Sequence, residues 1–133
     1  LGMTAETERL IERQERIVLS AKGPDSLALN SVSGGRIALM QRDSNWKGVI
    51  DERKRILART EKATGSKSRD SLYALREVAW AYPSLNNWPE EEQVLAGLLE
   101  RTAAAGAAPD LWLAGLCDGA SAALGFSTKS RIR

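Results

Sequence analysis

Residues 45–60 read NWKGVIDERKRILART, and residues 87–102 read NWPEEEQVLAGLLERT. The leading Asn-Trp pair and the closing Arg-Thr pair both recur after forty-two residues. A repeat of this length is typical of one supersecondary unit that is copied and stacked, because a single copy cannot bury its own apolar face. The repeat therefore predicts an array of similar units, and it favours binding over catalysis.

Apolar residues recur at helical spacing through almost the whole chain, and the alternation typical of strands is absent. Gly34 and Gly35 lie in the middle of the second predicted helix, where each glycine costs about 1 kcal/mol relative to alanine. This cost indicates either close approach of a neighbouring backbone or a weak point in the helix. The six predicted helices are 4–21, 26–42, 46–63, 69–82, 88–105 and 111–124.

The sequences of the even-numbered predicted helices also carry apolar residues at the same positions when they are aligned with an offset of forty-two residues. Val32 then aligns with Ala74, and Met40 aligns with Tyr82. The polar neighbours of these residues do not match. Agreement at apolar positions alone is expected when copies share their packing but have divergent surfaces.

The chain resembles tetratricopeptide repeats in three features. Its predicted helix pairs are joined by a short turn, an aromatic residue precedes the second helix, and a Pro-Asp pair stands at the entry to a helix pair. The Pro-Asp pairs are Pro24-Asp25 and Pro109-Asp110. The long period is similar to that of the repeats in kinesin light chains. The resemblance covers residues 5–125 and implies an all-α, right-handed superhelix of antiparallel helix pairs. It also implies a concave groove that binds a peptide or helix of a partner protein. The groove residues it implies include Tyr73, Arg76, Glu77, Trp80, Ser84, Arg42, Ala38 and Asp118.

The chain departs from the light-chain repeats where these commonly carry paired asparagines. Those positions hold Gly34-Gly35, Arg76-Glu77 and Asp118-Gly119, so the family's peptide preference does not transfer. A Tyr73–Trp80 platform beside arginine could seat an apolar side chain next to a carboxylate, because aromatic and arginine residues are frequent binding hot spots. The alternative is that Trp80 only packs between adjacent repeats.

The bulk composition excludes several classes of function. The chain has no histidine, which removes the commonest general base and the commonest metal ligand. The single cysteine, Cys117, cannot form an internal disulfide, and no apolar run is long enough to cross a bilayer. We therefore expect a cytoplasmic protein that is not an enzyme, with no cofactor, no metal and no membrane contact. The predicted organisation is a start with a tag remnant (1–3), a repeat domain (4–125) and a basic tail (126–133).

A basic face on the third predicted helix supports an alternative function, which is binding to nucleic acid or another anionic surface. The near balance of 19 basic and 17 acidic residues makes nucleic acid the less favoured partner. The same cations also fit a solvated face that is paired along the helix and has no ligand. The residues of this face are Arg53, Lys54, Arg55, Arg59 and Lys62.

The end of the array supports a further alternative, a structural element that forms homo-oligomers. A stack of repeats needs its terminal faces covered, and the sixth predicted helix either caps the array or meets a second copy. The residues of this self-association surface would be Leu111, Trp112, Leu113 and Leu116.

Overall fold

The structure is a computed structural model, and it describes residues 2–104. This part of the chain forms α-helices, one short 3-10 helix and no strand, so the predicted all-α class is confirmed. It holds five α-helices rather than about six; the sixth predicted helix (111–124) and the tail (126–133) lie outside the described residues. The elements are α1 (Gly2–Lys22), α2 (Leu29–Arg42), α3 (Trp46–Thr64), α4 (Arg69–Ala79), the 3-10 helix η1 (Tyr82–Leu85) and α5 (Trp88–Ala104).

Two helix boundaries differ from the prediction by three residues, each for a local reason. α2 begins at Leu29 rather than at residue 26, because the Ser26 hydroxyl and carbonyl oxygens accept the amide hydrogens of Ala28 and Leu29 in a separate turn. α4 ends at Ala79 rather than at Tyr82. Pro83 has no amide hydrogen to donate to the Ala79 carbonyl, and it disfavours helical backbone at the residue before it.

Apolar burial passes from each helix to the next along the chain. α1 packs on α2, α2 on α3, α3 on α4, and α4 on α5. Three separate buried clusters result, in place of a single central core. Their members are Ile11, Leu29 and Val32; Val49, Ile50, Val78, Ala81 and Tyr82; and Leu72, Leu75, Ala79, Leu95 and Leu98.

The turn before each matched tryptophan has the same backbone geometry in both copies of the repeat. Ser44 and Asn86 both adopt left-handed backbone, with φ of 56° and 53°. The asparagine that follows each of them donates its amide hydrogen to the carbonyl oxygen five residues earlier, at 2.8 Å in the first copy and 3.3 Å in the second. Trp46 and Trp88 then begin α3 and α5. The two turns are therefore structural equivalents as well as sequence equivalents.

The equivalence extends to the ends of α3 and α5. Thr60 and Thr102 are both buried, and each hydroxyl donates to the carbonyl oxygen four residues earlier, at 2.7 and 2.8 Å. One buried position breaks the pattern, because Val49 of the first copy corresponds to Glu91 of the second, and both side chains are buried. The second copy therefore buries a carboxyl group where the first buries an aliphatic side chain.

Glu91 should make the stability of the fold dependent on pH. Burial raises the pKa of its carboxyl group above the ordinary value of 4.5, so its stabilising contribution is present at low pH and is lost as pH rises through the folded-state pKa. We expect Glu91→Gln to raise the free energy of unfolding at pH 7, and the gain to vanish below about pH 4, where both states are protonated. Urea unfolding at both pH values measures this. The exposed neighbour provides the control, and an equal gain for Glu92→Gln would contradict the prediction.

The two glycines of α2 should respond differently to alanine. A Cβ atom at Gly34 would meet no atom within 4 Å, whereas one at Gly35 would lie 3.2 Å from Cδ1 of Ile11. Gly34→Ala should therefore raise the free energy of unfolding by about 0.5–1 kcal/mol. Gly35→Ala should raise the free energy of unfolding by less, because the side chain of Ile11 must move to make room for the added methyl group. Equal changes in the two urea midpoints would show that the close approach at Gly35 has no energetic effect.

Candidate functional site

A groove of about 440 Å³ lies between α2 and α4. α3 packs against both helices and forms the base of this groove. The lining combines aliphatic side chains with polar and charged ones. The lining residues are Leu27, Asn30, Ile37, Arg53, Ile56, Thr60, Asp70, Tyr73, Ala74 and Glu77.

The α2 wall of the groove follows from helical spacing. Asn30 and Ile37 lie two turns apart on one side of α2 and both line the groove. Gly34 lies between them on the same side, one turn from each. It has no side chain, and a Cβ atom there would meet no other atom within 4 Å. A larger side chain at this position would therefore have open space on the side of α2 that carries Asn30 and Ile37.

Arg53 links the base of the groove to its α4 wall. Its Nη1 donates a hydrogen bond of 2.6 Å to the backbone carbonyl oxygen of Glu77, and its Nη2 lies 3.8 Å from Oε2 of the same residue. The arginine side chain is largely buried. A cation from α3 therefore holds the position of α4 and neutralises the carboxylate that faces the groove.

Three residues of α4 and its C-cap form a stack at the rim. The guanidinium carbon of Arg76 lies 4.1 Å from the ring centroid of Tyr73 and 4.2 Å from that of Trp80. The spacing of three and four residues places all three side chains on one side of the helix. Arg76 Nη2 also donates to Oε1 of Glu77 at 3.2 Å. The arginine is mostly covered, whereas the rings remain 47% and 55% exposed.

Tyr73 lines both the groove and a second depression. The depression has a volume of about 490 Å³ and is lined by Arg69, Asp70, Tyr73 and Arg76. Tyr73 and Asp70 therefore face both hollows. A molecule that fills the groove would contact one side of the Tyr73 ring while Arg76 stacks on it.

The groove residues predicted from the sequence take three kinds of position. Tyr73 and Glu77 line the groove, and Arg76 and Trp80 lie beside it in the stack. Ser84 is exposed in η1, outside the lining. Ala38 and Arg42 are exposed on α2 but do not line the groove. Asp118 lies outside the described residues.

Sequence reasoning missed Asn30 and Ile37 of the α2 wall, and Ile37 lies one residue before the predicted Ala38. It assumed that every copy presents the same positions to the groove. A groove between two neighbouring helices is instead lined by the opposing sides of those helices. The spacing of Asn30, Gly34 and Ile37 by four and three residues is the signal that would have identified this wall.

The predicted basic face is divided among several parts of the molecule. Arg53 extends to α4, Lys54 to η1, Arg59 to α2, and Lys62 to the turn before α2, while Arg55 bonds within α3. A hydrogen bond with the tyrosine of η1 raises the pKa of Lys54. Each of the five cations thus has a partner. The pairs are Arg53 with Glu77, Lys54 with Tyr82, Arg59 with Asn30 and Ser33, Lys62 with Asp25, and Arg55 with Glu52.

The predicted self-association residues Leu111, Trp112, Leu113 and Leu116 lie outside the described residues. Within residues 2–104, no group of three or more cysteine, aspartate or glutamate side chains is arranged to hold a metal ion. No helix in this part of the chain combines the length and apolar character needed to span a bilayer.

Comparison of the chain with protein-family models, with curated proteins and with solved structures finds no match.

The stack should contribute measurably to stability. Each ring contact of a partly exposed cation contributes about 0.5–1 kcal/mol, so Arg76→Ala should lower the free energy of unfolding by roughly 1–2 kcal/mol. Arg76→Lys keeps the charge but loses the planar stacking and should fall between the parent and the alanine variant. Urea unfolding measures both changes. An alanine variant with the parent's midpoint would show that the two contacts contribute nothing.

Proposed function

We propose that this chain is a protein-interaction module whose groove between α2 and α4 binds a peptide or helix of a partner protein. The observation that carries the proposal is an apolar groove lined by the half-exposed ring of Tyr73, on which Arg76 stacks between it and the half-exposed ring of Trp80 beside the groove. Concave, mostly apolar sites with a few placed polar groups are the usual form of a binding site. Aromatic and arginine residues also dominate the energetics of protein interfaces.

The proposal extends to the architecture. The forty-two-residue equivalence of the turns, and helices that pack on their chain neighbours, support a right-handed superhelix of tetratricopeptide type. A single cysteine in 133 residues supports a reducing, cytoplasmic setting for such a scaffold or adaptor segment.

The lining of the groove favours a partner segment with an apolar anchor next to a basic residue. Ile37, Ile56 and Ala74 offer an apolar surface to the anchor. The Glu77 carboxylate already forms ion pairs with Arg53 and Arg76, whereas the exposed carboxylate of Asp70 also lines the groove and would attract a cation. Arg76 is occupied by its rings and by Glu77, so a carboxylate on the partner would have to compete for it.

Gly34 allows the groove to be blocked without disturbing the core. Because a side chain at this position meets open space, Gly34→Phe should fill the middle of the groove and leave the fold intact. Gly34→Ala is the matched control, since it also replaces glycine with a better helix former but adds little volume. Peptides selected from a random library on the parent protein should bind Gly34→Ala normally and Gly34→Phe at least roughly tenfold more weakly, the loss of about one good contact.

Fluorescence anisotropy with the selected peptides measures these affinities, and thermal melting confirms that both variants are folded. The proposal is wrong if no peptide is enriched, or if the enriched peptides bind Gly34→Phe as tightly as the parent. If a selected peptide also binds the Asp70→Asn variant more weakly than the parent, then a basic residue of that peptide contacts Asp70.

A further inference from the structure

The two matched tryptophans differ in what covers them. Trp46 is partly buried and packs against the cluster that joins α3 to the end of α4 and to η1. Trp88, its equivalent at the start of α5, is 55% exposed. Both follow turns of the same backbone geometry. Within residues 2–104, no element follows α5 as α4 follows α3, so Trp88 lacks the cover that the shared cluster gives to Trp46.

Helical spacing defines the side of α5 on which Trp88 lies. Spacings of four, four and three residues place it in one row with Glu92, Ala96 and Leu99. We call this row the Trp88 surface; Glu92 and Ala96 are exposed, and Leu99 is half-buried. The members of the corresponding row of α3 that lie in or against the cluster shared with α4 are Trp46, Ile50 and Leu57. The Trp88 surface is therefore the side of α5 on which the repeat calls for another helix.

Residues 111–124 have the composition that this surface requires. The α4 and η1 members of the cluster correspond, after forty-two residues, to small or aliphatic residues of this segment. Leu113, Leu116, Ala120 and Ala123 are spaced by three, four and three residues and share one side of a helix. The corresponding pairs are Val78 and Ala120, Ala81 and Ala123, and Tyr82 and Leu124.

The opposite side of the segment is small and weakly polar. In α4 this side carries the residues that pack on α5. The corresponding pairs are Leu72 and Ala114, Leu75 and Cys117, and Ala79 and Ser121. A helix of this sequence thus has one large apolar side to bury, whereas α4 has two. That side is the one which corresponds to the α3-facing side of α4.

The ion pair between α3 and α4 changes both of its members together at the forty-two-residue offset. Arg53 donates to the Glu77 carbonyl oxygen and lies 3.8 Å from its carboxylate. The corresponding residues are Leu95 and Gly119, so the cation and the anion are both lost. Loss of only one charge would have left the other without its partner at the contact. The joint change indicates that the same contact recurs between α5 and the segment.

A second contact changes in the same way. The amine of Lys54 lies 5.8 Å from the ring centroid of Tyr82. The corresponding residues are Ala96 and Leu124, so a cation on an aromatic ring is replaced by two aliphatic side chains. Each pair is compatible within itself, and a mixed pair of lysine and leucine would lose the attraction between the cation and the ring.

We propose that residues 111–124 form a helix that packs on the Trp88 surface of the same chain, as α4 packs on α3. Leu116 and Ala120 face α5, and Cys117 and Ser121 face away. The six residues 105–110 are enough for the connection, since four residues (65–68) connect α3 to α4. Leu116 is then buried in its own chain and is not available to a second copy. This surface is separate from the groove between α2 and α4, so the proposal does not depend on peptide binding.

Thiol reactivity in the full chain tests which side of the segment is covered. Cys117, the only cysteine of the chain, faces away from α5 and should react readily with a maleimide. In a Cys117→Ser background, Leu116→Cys turns the thiol toward α5. That thiol should react at least roughly tenfold more slowly, because it is accessible only when the segment opens. In urea the two thiols should react at the same rate, and circular dichroism establishes that the variant is folded.

Two adjacent substitutions test the same contact through stability. Ala120→Glu places a carboxylate against α5 and should lower the urea midpoint, because the charge must be buried or the segment must leave the surface. Ser121→Glu adds the same side chain on the side that faces away and should leave the midpoint unchanged. Light scattering should give the mass of a single chain for the parent and for both variants.

Equal rates for thiols at positions 116 and 117 in the native chain would overturn the proposal, because neither side of the segment would then be covered. Protection of position 117 in place of 116 would also overturn it, since the opposite side would face α5. So would equal shifts of the midpoint for the two glutamate variants. A parent that is a dimer, and in which position 116 loses its protection on dilution, would assign the surface to a second copy and overturn the intramolecular contact.

Discussion

Each helix of this chain can bury its apolar side only against its neighbours, and the rest of the structure depends on that constraint. The clusters follow one another from α1 to α5 instead of meeting at one centre. α3 is covered by α2 on one side and by α4 on the other. Because α2 and α4 are held apart by the helix between them, a groove is left open along the surface of α3.

The parts of the fold that depend on local chemistry could be predicted from the sequence. The matched Asn-Trp pairs located the starts of α3 and α5, and the Asn45 side chain accepts the amide hydrogen of Gly48 as a cap should. The all-α class of the fold was predicted from the helical spacing of the apolar residues. The end of α4 was predicted too late, because the effect of Pro83 reaches several residues back to the Ala79 carbonyl.

The candidate sites were harder to predict, because their geometry depends on contacts between distant residues. Tyr73 and Glu77 were identified through the family resemblance, but Asn30 and Ile37 were not, since which sides of α2 and α4 face each other is decided by packing on α3. The cations of α3 looked like one basic face in the sequence. Their partners come from α2, α4, η1 and the turn before α2, and no short-range pattern indicates these pairings.

Arg59 has one further consequence, because it joins α3 to a residue of the groove wall. It donates to Asn30, which lines the groove, and to the buried hydroxyl of Ser33. A molecule in the groove that bonds to the Asn30 side chain would compete with Arg59 for the same oxygen. Occupation of the groove and the packing of α2 on α3 would then be energetically coupled, and thermodynamic linkage makes such an effect reciprocal.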